Sequence, residues 1–397
     1  MRPLSFLLIS ATLAAQTPRV QISNTTESLR GVSAVSREIA WASGTHGTYL
    51  RTIDGGKTWT PAQVPDATAL DFRAVVAFSA DEAFLMSIGT GEQSRIYHTT
   101  DAGKHWQPQF TNPYPKGFFD SMVFWDRTHG IVVGDPVPDD AGVLKAEVFL
   151  TDDGQTWHAV PPSQLPAAVD GEGSFAASNT NIAILRSEIP WRSGSSAPRA
   201  DAANSGASGP AGAPDSNIWF ATGGRVARVF HSADHGQTWQ VFDTPIVHGP
   251  DSAGIFSIAF RDGMHGVISG GDYKHPNQDG PNLAFTDDGG KTWKLSTIHP
   301  QAFFSAVAYD KKVNEAALRQ EANEAQAAAG KKTRIKPVAP QRLFIVGDDF
   351  IFDFRPPADP HRISSNKELA MKFNAASAYP EGGALIVGPK GAIAMIP

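Results

Sequence analysis

"RTIDGGKTWT", residues 51–60, is a short polar turn that returns four more times along the chain. "HTTDAGKHWQ" starts at His98, "LTDDGQTWHA" at Leu150, "HSADHGQTWQ" at His231 and "FTDDGGKTWK" at Phe285. Aligned on tryptophan, the copies share Asp five residues earlier and Gly three earlier. The anchors are Asp54/Trp59, Asp101/Trp106, Asp152/Trp157, Asp234/Trp239 and Asp288/Trp293. Four copies also place Ser or Thr seven residues before Trp, and the third has Leu150 there. Each residue type has a physical use in a turn. Asp folds its carboxylate back onto backbone N–H groups. Gly supplies a positive φ. Trp buries a large surface and keeps one N–H for a partner.

The tryptophans are 47, 51, 82 and 54 residues apart. A four-stranded blade with its turns takes about 40–50 residues, and such a period signals a β-propeller. The long gap contains residues 191–216, a Ser/Ala/Gly/Pro-rich stretch expected to be an insertion. Before each turn the same plan recurs. An apolar inner strand ("FRAVVAF", 72–78; "IFSIAF", 255–260) precedes a second strand ending in glycine ("HGIVVGD", 129–135; "HGVISGGD", 265–272), and a third strand leads into the turn. After Trp293 the turns stop but the strands continue through "FFSAVAYD", "QRLFIVGDD" and "FIFDFR" to "GAIAMIP". An Ala/Glu/Lys-rich stretch at about 311–335 is predicted to be a helical insertion. The last blade lacks a fourth strand, and "RVQIS" (19–23) is the spare one. The expectation is an all-β, seven-bladed β-propeller, one domain over 17–397, sealed by its N-terminal strand so that no sheet edge is left open.

The pattern S/T-x-D-x-G-x-T-W resembles the Asp box, or bacterial neuraminidase repeat, of sialidase-like propellers. That resemblance implies structural turns on the face away from a ligand. "GDPV" (134–137), "GEGSFAAS" (171–178), "ARVF" (227–230), "GIFSIAF" (254–260) and "GGDY" (270–273) extend it. Together with the repeated turn they are similar to the photosystem II stability/assembly factor-like propellers. The family implies a non-enzymatic role in protein binding or assembly; no cofactor is expected.

Residues 1–16, one Arg followed by an apolar run and small residues, have the layout of a secretory signal peptide. A periplasmic or secreted protein is therefore expected, with no membrane span. The chain has no cysteine, which excludes disulfides, thiolate metal sites and a Cys nucleophile. Its formal charge of −6 carries no basic stripe, so nucleic acid is not an expected partner. G-x-G-x-x-G and G-x-S-x-G are absent, and a sialidase's F-R-I-P signature is missing. His231 and His235, four apart, flank a turn rather than share a helix face, so no metal site is expected.

In an up-and-down blade, the loop between strands two and three and the link to the next blade lie on the face opposite the boxes. That face carries the candidate ligand-binding residues. Asp135, Asp272 with Tyr273, and Asp348 follow glycine-ended strands. Asp120, Glu172 and Arg73 stand at the starts of inner strands, and Arg225 and Arg228 follow "TGG". Converging acids would bind a cation, pair with these arginines or hold protons. Three functions follow. The first is a monomeric scaffold for another exported or membrane protein. The second is a glycoside hydrolase acting on a glycan through channel-mouth carboxylates. The third is a cation- or solute-binding propeller.

Overall fold

The structure, a computed structural model, describes residues 17–185, 216–297, 302–311, 342–347, 350–354, 361–365 and 371–397. The expected signal peptide, both insertions (apart from Ser216 and Lys311) and Asp348 lie outside these residues. Among the described residues there is no α-helix, only strands and short 3-10 turns.

Seven antiparallel sheets surround a channel. The inner strands of blades 1 to 7 are Leu29–Ala34, Asp71–Ala77, Phe119–Phe124, Ile182–Ile184, Ala253–Phe260, Phe304–Tyr309 and Ala375–Ala378. In each of blades 1 to 6 three later strands follow outward in chain order. Blade 7 has only Ala384–Val387 and Ile393–Ile396 after its inner strand, and Arg19–Gln21 completes it from outside. The pairing is Arg19 with Met395, Val20 with Ala394 and Gln21 with Ile393.

The seal is the expected strand, but its side chains work differently from the alternation in the sequence. Val20 and Ile22 face solvent, at 46% and 77% exposure. The polar residue between them does the fixing. Gln21 donates to the Gly55 carbonyl at 3.0 Å and accepts the Trp59 indole N–H at 2.9 Å. Asn24 adds a bond to the Trp59 carbonyl at 2.9 Å. The closing strand is thus bolted to the first box rather than held by buried apolar side chains.

The hydrophobic core is divided by the ring. Seven clusters of buried side chains form, one at each junction between neighbouring blades. The box tryptophans fill five of them. Trp59 packs at the junction of blades 7 and 1, Trp106 at 1 and 2, Trp157 at 2 and 3, Trp239 at 3 and 4, and Trp293 at 4 and 5. Each box therefore closes its own hairpin and fastens its blade to the one before it. Burying a side chain of that size contributes on the order of 2–3 kcal/mol.

The box geometry repeats closely. In blade 1 the Thr52 hydroxyl accepts the Gly56 N–H (2.9 Å) and donates to Asp54 (2.9 Å), whose carboxylate accepts the Thr58 N–H (2.9 Å). Thr99/Asp101, Ser232/Asp234 and Thr286/Asp288 do the same in blades 2, 4 and 5. The third box corrects the alignment. Its working carboxylate belongs to Asp153 and not Asp152. Asp153 accepts the Thr151 hydroxyl (3.2 Å) and the N–H groups of Gln155 and Thr156 (2.7 Å each). This turn is one residue shorter, so aligning on Trp puts Leu150 and Asp152 where Thr151 and Asp153 act. The Asp152 side chain is 73% exposed.

Candidate functional site

Five inner strands carry a β-bulge at the same level. Register shifts fall across Arg30, Arg73, Asp120, Phe256 and Ser305 in blades 1, 2, 3, 5 and 6. A bulge re-aims the side chain of its extra residue. Four of these five positions meet one segment of the chain, residues 171–181, "GEGSFAASNTN".

That segment leads into the inner strand of blade 4 and crosses the channel. The Arg73 guanidinium donates to the Ala176 carbonyl at 2.8 Å. The Ala176 N–H acts on the Asp120 carboxyl. Phe175 stacks on Phe256, with ring centroids 3.9 Å apart and planes 9° from parallel. The Ser178 hydroxyl donates to the Ser305 carbonyl at 3.1 Å. Asn179 exchanges two bonds with the Met122 backbone, accepting at 2.7 Å and donating at 2.9 Å. The Thr180 carbonyl accepts the Ile258 N–H at 2.8 Å. The segment is thus tied to inner strands on opposite sides of the ring and plugs the channel on the face opposite the boxes. Gly223 and Gly254 make room for it: a Cβ on Gly223 would lie 2.2 Å from the Phe175 ring and 2.8 Å from Gly254.

Of the described acids and arginines singled out in the sequence, Arg73, Asp135, Glu172, Arg228 and Asp272 fasten this plug or nearby turns. The Asp135 carboxylate accepts the Ser174 N–H at 2.9 Å. Glu172 is buried and forms a two-point ion pair with Arg228, through Nε at 3.0 Å and through the terminal nitrogen Nη2. It also accepts the Thr222 hydroxyl at 2.7 Å and the Val169 N–H at 2.9 Å. Arg225 is exposed, and its backbone N–H bonds to Gly171 at 2.9 Å. Asp272 caps its own turn, accepting the Lys274 N–H (2.9 Å) and pairing with His275 (2.8 Å). Tyr273 stands at 48% exposure beside Phe256, at 6.1 Å between rings.

The carboxyls that come together are Asp120, Asp135 and Glu147, all in blade 3. Sequence reading found the first two and missed the third. Glu147 lies in "LKAEVFLT" (144–151), where a lone acid among apolar residues of a central strand was the available signal. It accepts the Asn112 side-chain amide at 3.0 Å and the Phe118 N–H at 2.9 Å, both on Oε2, while Oε1 has no partner. Burial pushes Glu147 up to about 7, partly offset by those donors, and Asp135 up to about 6, partly offset by the Ser174 N–H. Asp120 is 1% exposed and goes well above the ordinary carboxylate range, first through burial and then through the charges of Asp135 and Glu147. Both oxygens of its carboxyl lack a partner in good hydrogen-bond geometry.

Among the described residues no group of three or more His, Asp or Glu side chains is arranged to hold a metal ion. The two histidines of the fourth box do not converge. His231 stacks on Trp219 and meets Asn217 at 2.8 Å, whereas His235 packs against Trp125. A cleft of about 550 Å³ lies on the outer edge of blade 3, lined among others by Tyr114, Lys145, Glu147, Phe149 and Leu165, and none of the residues singled out in the sequence lines it.

Comparisons with known proteins agree with this architecture. The model of the photosynthesis system II assembly factor YCF48 family matches residues 11–113, and that of the BNR/Asp-box repeat matches residues 284–295. The photosystem II stability/assembly factor HCF136 of the Arabidopsis thaliana chloroplast is 35% identical over 66 residues, 16% of this chain and 15% of that protein. The aligned stretch is thus a small part of the relative's length. Among solved structures, YCF48 bound to a D1 peptide superposes with a TM-score of 0.58 at 14% identity, covering 97% of this chain and 99% of that one. The WD40 propeller domain of Doa1 gives 0.55 at 8% identity, covering 96% of each chain. At these identities the two structures attest the fold alone.

Proposed function

We propose that this Asp-box propeller, which is similar to the photosystem II assembly factors, is a non-enzymatic scaffold that binds a segment of another exported or membrane-associated protein on the face opposite its boxes. The observation that carries the reading is the sequence similarity to the assembly-factor family over residues 11–113. The site geometry supports it. A glycoside hydrolase needs two carboxyls flanking an open cleft. Here Glu172 is buried beneath Arg228, Asp120 is buried outright, and Asp135 holds the plug. The exposed groups on this face, Tyr273 and Arg225, suit contact with a polypeptide, since aromatic and arginine side chains are enriched at protein interfaces. A secretory leader at 1–16 would put the partner outside the cytoplasm.

The test is site-specific photocrosslinking in the native envelope, with the probe at Tyr273 or Arg225 on one face and at Lys57 on the other. The expected result is one stoichiometric protein adduct from the first two positions and none from Lys57. A glycan panel run beside it opposes the reading: sugar turnover abolished by Glu172→Gln in a folded protein would replace the scaffold with an enzyme.

A further inference from the structure

The plug and the carboxyls beneath it form one device. Asp120 sits on the inner strand of blade 3, Asp135 on the second and Glu147 on the third. The charged groups acting on Asp120 are Asp135 and Glu147, both of its own sign. From the link before the blade come the Asn112 amide and the Phe118 N–H, both given to Glu147. From blade 2 comes Arg73, whose guanidinium is given to the Ala176 carbonyl. From the plug come the N–H groups of Ser174 and Ala176, while its own acid, Glu172, is paired with Arg228. Asp120 and one oxygen of Glu147 are therefore buried with no donor in good geometry. A carboxyl in that position keeps its proton, because the anion would have neither water nor enough N–H groups around it.

We propose that residues 171–181 are a proton-latched plug, seated across the channel while the carboxyls of blade 3 hold their protons and freed from blade 3 as those protons leave. Deprotonation of Asp120 or Asp135 places a charge beside like charges in a site the plug covers through the Ser174 and Ala176 N–H groups, and lifting the plug lets water reach it. The direction follows from the raised values. The seated form binds more protons than the open one, so its advantage is complete below about pH 4 and is lost as pH rises through about 6 for Asp135, while Glu147, which acts on Asp120 by its charge, ionises at about 7 and adds to the repulsion. Once the segment is loose at blade 3, Phe175 is free to leave Phe256, which would bare an aromatic face beside Tyr273. The latch does not depend on which partner the propeller binds.

Hydrogen exchange read by mass spectrometry on the whole protein tests it, at about pH 5 and about pH 7.5, with rates corrected for the chemical effect of pH. Peptides covering 171–181 are expected to open at least about tenfold more at the higher pH, while peptides over the second box (98–107) stay within about twofold. In Asp135→Asn with Glu147→Gln, which mimic the protonated groups, the difference should shrink to about twofold. Equal opening of the plug at both pH values overturns the proposal, as does a parallel change in both regions. If the double variant does not fold, the comparison within the wild-type protein decides alone. A pH response of wild-type size in a folded double variant, where Asp120 is the carboxyl left to titrate, also refutes it.

Discussion

The two faces of this propeller use the same side-chain chemistry to opposite ends. On the box face, Asp101, Asp153 and Asp288 are drawn down to about 2. The leading causes are the backbone N–H groups of His105 and Thr156 for the first two. For Asp288, burial works against the shift and the hydroxyl and N–H of Thr292 outweigh it. On the plugged face, Asp120, Asp135 and Glu147 are driven up because burial exceeds what their donors return. The lesson is that neither residue type nor its place after a glycine sets the role of an acid. The supply of N–H groups within reach decides it. A turn folds its own donors onto the carboxylate, whereas a strand lends its donors to the ladder.

The sharpest way to break this contrast is to strip the cation from Glu172, a buried and fully partnered acid on the plugged face. Arg228→Met leaves Glu172 charged and buried, and should cost about 3–5 kcal/mol in urea unfolding. Adding Glu172→Leu should return most of it. If Arg228→Met alone is neutral, the pair does not hold the plug. On the box face a comparable but smaller loss is expected from Gln21→Ala, which strands the Trp59 indole N–H and opens the seal. About 2 kcal/mol is expected, and a shift in the denaturation midpoint measures it. Asp288→Ala, which removes the acceptor of the Thr292 hydroxyl and N–H, should cost about 1–2 kcal/mol by the same assay.

The pH profile separates the faces without any loss of packing. Box carboxylates contribute stability above about pH 4 and lose it as pH falls through about 2, whereas Asp135 and Glu147 contribute below about pH 4 and lose it as pH rises through about 6 and 7. Asp153→Asn should therefore flatten the acid limb of stability against pH, and Asp135→Asn the limb between about 4 and 6. The same limb flattened by both variants would erase the distinction. The smallest effect is expected at Asp152→Ala, within about 0.5 kcal/mol of wild type, beside a larger loss at Asp153→Ala. Equal losses would restore the alignment on Trp.

The ring was legible because its signal is repeated. Five turns at blade-length spacing fixed the number of boxes, and the unpaired last blade pointed to residues 19–23. The third box was misread because a one-residue deletion is invisible when only Trp is used as the anchor, and "TDDG" offers two acids. The plug could not be read at all. Its residues, "GEGSFAASNTN", have neither strand alternation nor a turn signature, and its bonds run to blades 2, 3, 5 and 6, far apart in sequence. Asp120, Asp135 and Glu172 were singled out, with pairing to arginines and holding protons among their expected uses, but a sequence does not choose between these uses, since it shows a carboxyl and not the donors that a crossing segment brings to it.

The pairing of Gln21 with Ile393, and its grip on the first box, imposes an order on biosynthesis. Blade 1 can fold soon after its residues leave the ribosome, but the strand that flanks it stays without its mate until the final hairpin emerges. Until then the backbone edge of Arg19–Gln21 that pairs with Ile393–Met395 is available to any neighbouring chain. Joining strands so distant along the polypeptide is slow. A nascent molecule of this design therefore gains more from a chaperone at its beginning than at its end, and a circular permutant opened between two middle blades should close sooner than the natural order does.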